Sequence, residues 1–193
     1  MLYKRPRGTQ DILPDQAHEW RLAEQTFREI CRRFRYGEIR TPIFEDTDLF
    51  IRSVGEETDI VSKEMYTFTD RGGRSLTLRP EGTAPVIRAF LENNLQGQDP
   101  QRIVKLFYIA PVFRYDRPQA GRYRQHHQAG AEALGSQNPA LDAEVIHLAM
   151  TFYRAMGIEQ VRLLLNSVGC PRCRPEYIRK LRDFLAAHLQ EFC

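Results

Sequence analysis

A chain of 193 residues, 42% hydrophobic and 27% charged, has the composition of one globular domain with room for a sizeable core. A net charge of +3 does not by itself point to a nucleic acid, and the longest apolar run, residues 103–113, is broken by Lys105 and too short to cross a bilayer. No apolar segment follows Arg7 as a secretory signal requires, and four cysteines make no disulfide scaffold at this length, which fits a reducing, cytoplasmic setting.

Residues 1–13 read as an irregular arm, with Pro6, Gly8 and Pro14 against regular structure, and Pro14 fits the first position of a helix. Trp20, Ala23, Phe27, Ile30 and Phe34 recur at three- and four-residue steps. They predict an amphipathic helix to about Arg35, stopped by Gly37. Residues 38–41 follow as a short strand ended by Pro42, residues 46–53 as a short helix, and residues 58–63 as a polar loop. Strands at 65–69 and 75–78 form a hairpin around Asp70-Arg71-Gly72-Gly73. The second strand runs into Arg79-Pro80-Glu81-Gly82-Thr83. Pro80 ends it, and Gly82 lets the backbone approach a ligand or bend sharply. A helix is predicted from Ala84, with Val86, Ile87, Phe90 and Leu91 on its apolar face, and residues 97–100 close it.

Residues 106–135 concentrate the chemistry as strand, basic loop, strand. In the second arm, residues 123–134, the side chains of His126, Gln128, Gly130 and Glu132 fall at alternate positions, so they line one surface. Between the arms, residues 114–124 hold four arginines (114, 117, 122 and 124) and one acid, Asp116. Such a loop beside a polar strand face suits a polyanion. A helix at 139–156 follows, with Leu141, Val145, Leu148, Ala149 and Phe152 on its apolar face, then a short strand at 161–165. A turn-rich segment, 166–175, contains Cys170-Pro171-Arg172-Cys173, and a last helix runs over 175–189. Neighbouring hairpins predict an α+β fold, a mainly antiparallel sheet backed by helices.

Three blocks in order, Arg7-Gly-Thr-Gln-Asp-Ile-Leu-Pro14, Leu78-Arg-Pro-Glu-Gly-Thr-Ala84 and residues 113–125, resemble histidyl-tRNA synthetases. The resemblance implies a class II synthetase-like antiparallel sheet flanked by helices, and covers all of 1–193 as part of a catalytic domain. It implies a homodimer formed through the N-terminal helix and the Pro42 strand, which resemble motif 1. Residues 107–132 resemble motif 2, which implies Arg114 on the α-phosphate of ATP as the catalytic group, with Asp116 and His126 also at ATP. Glu81, Gly82, Thr83, Gln128 and Glu132 would bind histidine, Glu81 and Thr83 at its α-ammonium and Glu132 at its imidazole. Arg117, Arg122 and Arg124 would meet ATP and the acceptor end of tRNA(His), and Mg²⁺ would accompany the triphosphate.

Two departures stand out. The family has Phe, stacked on adenine, where this chain has His126. The chain also stops at Cys193, less than halfway through the family's usual extent. Motif 3, the histidine-specific Arg-and-Tyr segment and the anticodon-binding domain are therefore expected to be absent, and the 193 residues alone to be inactive. The runner-up, from another class, is the synthetase-like, histidine-sensing regulatory subunit of ATP phosphoribosyltransferase.

No metal is expected at His126 and His127, because neighbours in a strand point to opposite faces. Cys170-x₂-Cys173 and Cys193 match three positions of a zinc pattern, with His188 as a conceivable fourth ligand, but reduced, unliganded thiols are the favoured reading.

Overall fold

A computed structural model describes residues 3–54, 64–99, 101–117, 121–166 and 169–191, so the loop expected at 58–63 lies outside the described residues. They fall into two compact units, Met1–Glu159 and Gln160–Cys193. The first carries α1 (Ala17–Arg33), β1 (Gly37–Glu38), β2 (Phe44–Asp46), α2 (Thr47–Val54), β3 (Tyr66–Thr69) and β4 (Ser75–Leu78). It continues through α3 (Thr83–Glu92), β5 (Val104–Phe113), β6 (Gln125–Leu134) and α4 (Pro139–Ala155). The second unit carries α5 (Arg174–Ala187) and a 3₁₀ turn at Leu189–Glu191.

The apolar stripe from Trp20 to Phe34 becomes α1, but its end differs from expectation. Arg35, not Gly37, takes the left-handed conformation, at φ 62°, and the Tyr36 N–H returns to the Cys31 carbonyl at 2.8 Å. A side chain in this region is disfavoured; burial of Tyr36, 4% exposed, offsets that. Gly37 is thereby released to begin β1, which is shorter than the strand expected at 38–41.

Two three-stranded sheets form, in the orders β1-β5-β6 and β2-β4-β3. β5 and β6 pair antiparallel in unbroken register from Val104 opposite Leu134 to Phe113 opposite Gln125. The β3–β4 hairpin forms where expected. Its turn is closed by the Asp70 carboxylate, which accepts from the N–H groups of Gly72 (2.8 Å) and Arg74 (2.9 Å). β2 was not anticipated, since three residues show no readable alternation. The β1–β5 pair is parallel, the exception to an otherwise antiparallel pairing.

The β1-β5-β6 sheet is a middle layer. Phe27, Ile30, Cys31, Tyr36, Phe107 and Leu148 form the core on its α1 and α4 face, with Ala131, Ala133 and Phe152 packed against them. Val86, Tyr108 and Ala110, with Ile39 and Leu106, form the core on the α3 face. Phe107 and Tyr108 are adjacent and both buried, which strand alternation allows only if both faces are covered. α4 begins as its sequence dictates: Asn138 accepts from the Ala140 N–H at 2.9 Å and Pro139 occupies the first turn.

The orientation of α3 keeps Val86 of the predicted face buried but corrects Ile87 and Leu91. It buries Ala84, Pro85, Val86 and Ala89, while Ile87 and Leu91 are 39% and 69% exposed. The small side packs inward because the Tyr108 ring already occupies the space beneath it. In the second unit, the strand expected at 161–165 does not form, and Leu164 and Leu165 are 76% and 80% exposed. A strand needs a neighbour for its N–H and C=O groups, and among the described residues none pairs with this segment. No helix among the described residues is long and apolar enough to cross a membrane.

Candidate functional site

The residues singled out in the sequence converge on the α3 face of the β5–β6 pair. Their platform is Arg79, which follows β4 and is only 4% exposed. Its Nε donates to the Pro111 carbonyl at 2.8 Å, and its Nη1 to the Thr41 carbonyl (3.0 Å), Thr41 Oγ1 (3.2 Å) and the Pro42 carbonyl (3.2 Å). One guanidinium thus ties β4, the segment after β1 and the end of β5 together. Burial lowers its pKa from the usual guanidinium value. Sequence reasoning missed Arg79; its signal was a lone cation between the apolar end of β4 and Pro80.

The next residues turn into α3. The Glu81 carboxylate accepts from the N–H groups of Thr83 (2.6 Å) and Ala84 (2.8 Å), capping the positive end of the helix. Gly82 N–H donates to Gln128 Oε1 at 3.0 Å, and Thr83 Oγ1 donates to Glu132 Oε1 at 2.8 Å. All five residues assigned to one ligand by the resemblance are therefore joined by hydrogen bonds across α3 and β6.

Tyr108, opposite Gly130 in the register, fills the space between them. A Cβ at Gly82 would lie 2.1 Å from Tyr108 Cε2, and one at Gly130 2.3 Å from Tyr108 Cζ. Both glycines are required by the ring between them, not by backbone conformation. Gly130→Ala is expected to displace Tyr108 and to lower the unfolding midpoint, and the added mutation Tyr108→Ala to recover part of that loss. Equal midpoints for wild type and Gly130→Ala would count against this packing.

Burial raises the Glu132 carboxyl pKa above its usual 4.5, opposed by the Thr83 hydrogen bond and reinforced by the nearby Glu81 charge. Burial also pushes the Tyr108 hydroxyl up to about 12. A raised folded-state pKa means that the Glu132 contribution to stability is complete below about 4.5 and is lost as pH rises through the folded value. Glu132→Gln is therefore expected to raise the Tm of the unliganded protein at pH 7, by an amount that shrinks towards pH 4.5. A Tm lowered at pH 7 would contradict this.

At the other end of the sheet, Arg114 Nε donates to the Pro80 carbonyl at 2.8 Å. Among the described residues its two terminal nitrogens make no hydrogen bond, so the open side of the fork is available. His126 lies on the same face; burial and then the Arg114 charge lower its pKa. His127 is on the opposite face, edge-on to Trp20 with ring centroids 4.8 Å apart, so the two imidazoles do not converge.

Arg124 is less free than the sequence implied. Its guanidinium stacks 3.9 Å from the Tyr115 ring centre, its Nε donates to the Asp116 carbonyl at 3.2 Å, and its backbone N–H donates to the Gly8 carbonyl at 2.7 Å. Arg117 and Arg122 are exposed, and residues 118–120 between them lie outside the described residues. The docked arm adds Arg5 and Arg7 to an open cleft of about 400 Å³ shared with Thr9, Arg122 and Tyr123, a basic surface not foreseen in the sequence.

Comparison with known proteins bears on this arrangement. The family model described as histidyl-tRNA synthetase matches residues 8–173. A histidine–tRNA ligase of Pelotomaculum thermopropionicum is 60% identical over the whole chain, which covers 45% of that protein. The apo crystal structure of S. aureus histidyl-tRNA synthetase superposes with a TM-score of 0.76 at 45% identity, over all of this chain and 44% of that one. A Bacillus halodurans structure described as an ATP phosphoribosyltransferase regulatory subunit/histidyl-tRNA synthetase matches 81% of this chain and 39% of its own, with a TM-score of 0.68 at 25% identity. The chain thus spans under half the length of the relatives it matches. With its fold matching a class II synthetase and the family match running from residue 8 to residue 173, the chain belongs to the histidyl-tRNA synthetase family.

Proposed function

We propose that this chain forms part of an enzyme that activates histidine with ATP and ligates it to tRNA(His). The histidine carboxylate attacks the α-phosphorus of ATP in line, pyrophosphate leaves, and the histidyl group then passes from AMP to the terminal ribose of the tRNA. The observation that carries the reading is the joined set Glu81, Gly82, Thr83, Gln128 and Glu132. Glu132 is a half-buried carboxylate whose one hydrogen bond among the described residues comes from the Thr83 hydroxyl, which suits an imidazole N–H as a second donor. Glu81 retains lone pairs for the α-ammonium after capping α3. Gln128 gives its oxygen to Gly82, leaving its amide N–H groups for the ligand.

Arg114 takes the α-phosphate, supported by its Nε anchor and open fork; Asp116 and His126 take part in ATP binding, with the planar imidazole of His126 beside adenine. Arg117 and Arg122 are the loop groups best placed for ATP and the tRNA acceptor end, while Arg124 holds the loop base. Mg²⁺ enters with the triphosphate. Among the described residues no group of three His, Cys, Asp or Glu could hold a metal, so no protein ligand set is assigned to it. A homodimer through α1 and the Pro42 segment is supported by Leu22, Ile43 and Phe44, which are 59%, 46% and 49% exposed. We place the protein in the cytoplasm, and read 1–193 as part of a catalytic domain.

The test is histidine-dependent pyrophosphate–ATP exchange by the intact protein. Glu132→Gln is expected to lower kcat/KM for histidine about 10- to 100-fold, the worth of one charge-assisted hydrogen bond. Histidine binding without exchange or aminoacylation would instead support the regulatory reading.

A further inference from the structure

The second unit carries a pair of thiols that the proposed reaction does not use. Cys170 and Cys173 are exposed, with their sulfurs 3.5 Å apart. The pair opens α5, with Cys173 at the N-cap, and Cys173 Sγ accepts from the Cys170 N–H at 3.1 Å. Gly169, at φ 71°, leaves room for this sulfur: a Cβ there would stand 2.9 Å from it. Beside the pair is an open cleft of about 550 Å³, with Gly169, Pro171, Pro175 and Ile178 as its apolar part and Arg174 and Arg182 as its cations. Arg174, Ile178 and Arg182 repeat every four residues along one face of α5.

We propose that Cys170 and Cys173 are a reversible dithiol–disulfide couple that exchanges with small disulfides bearing carboxylates, which the two arginines hold. The Cys170 thiolate attacks one sulfur of the small disulfide, forming a mixed disulfide and releasing one thiolate. Cys173 then loses its proton and attacks Cys170 Sγ, forming the intramolecular bond and releasing the second thiol. Two protein thiols are oxidised and one small disulfide is reduced to two thiols. Cys170 is the attacking group because its sulfur lies 3.5 Å from Cys173 Sγ and the backbone and side chain of Cys173, then the backbone of Arg172, hold its thiol below the usual cysteine range, while Cys173 is positioned to resolve the adduct.

A metal site built from the same residues fits less well. Zinc takes four ligands, and α5, at 14 residues, carries His188 about 20 Å from Cys173. Cys193 lies outside the described residues.

The test equilibrates the 193-residue chain, with chelator and without oxygen, against ratios of reduced to oxidised glutathione, followed by alkylation and peptide mass mapping. The expected product is a Cys170–Cys173 disulfide, reversed by excess reduced glutathione, with Cys173→Ser trapping a glutathione adduct on Cys170. Arg174→Glu with Arg182→Glu is expected to slow reaction with oxidised glutathione roughly tenfold and to leave the rate with neutral hydroxyethyl disulfide unchanged. Equal slowing with both probes would overturn the carboxylate preference. Thiols still reduced in fully oxidised glutathione, or a disulfide to Cys31 or Cys193 instead, would overturn the couple. So would one zinc per chain that resists chelator and is lost in both Cys170→Ser and Cys173→Ser.

Discussion

Arg114→Ala is expected to slow adenylate formation by the intact protein about 10²–10³-fold while leaving the fold in place. Among the described residues only the Nε hydrogen bond to Pro80 is lost, a net effect of about 1 kcal/mol. The larger loss falls on the transition state, in which negative charge develops on the α-phosphoryl oxygens and a fixed cation stabilises it. Lysine would restore the charge but neither the fork nor the anchor, so Arg114→Lys should recover only part of the rate. Single-turnover formation of histidyl-adenylate separates this effect from product release. A variant with unchanged single-turnover rate and raised KM for ATP would show that Arg114 binds the ground state and no more.

The largest expected effect on stability comes from Arg79→Met. Methionine preserves much of the side-chain volume but leaves the carbonyls of Thr41, Pro42 and Pro111 without the donor of a part-buried hydrogen bond. An unsatisfied buried acceptor costs about 1–3 kcal/mol and a part-buried one less, so a total of about 2–3 kcal/mol is expected, against a typical domain stability of about 5–15 kcal/mol. Urea denaturation of the two proteins measures it. Arg32→Met provides the contrast. Arg32 makes two 2.8 Å hydrogen bonds to Glu29, but its side chain is 74% exposed, and its loss should leave the unfolding midpoint in place. A small effect at Arg79 would mean that water or rearranged backbone can satisfy those carbonyls.

The two arginines illustrate how unevenly sequence reports on function. Arg114 stands in a dense basic loop and is conspicuous. Arg79 is a single cation at a strand end, and its importance arises from hydrogen-bond partners 32 to 38 residues away. The same contrast separates the two glycines from the polar residues they adjoin. Gly82 reads as a bend, but the reason for it, the ring of Tyr108, lies on another strand.

By itself the sequence determined what depends on near neighbours. The α1 stripe, the Asp70–Gly73 turn, the Asn138 cap with Pro139, and the single face shared by His126, Gln128, Gly130 and Glu132 all follow from interactions within a few residues. Periodicity and turn chemistry encode such features directly. Only the tertiary structure decided which distant groups meet. Thr83 reaches Glu132 across 49 residues and Gly82 reaches Gln128 across 46. α3 turns Ala84 and Ala89 inward, not Ile87 and Leu91, because Tyr108 fills the space below. Arg35 accepts a strained backbone so that Tyr36 can be buried. The segment 161–165 has the composition of a strand, but pairing belongs to two segments, and no sequence of five residues contains its partner.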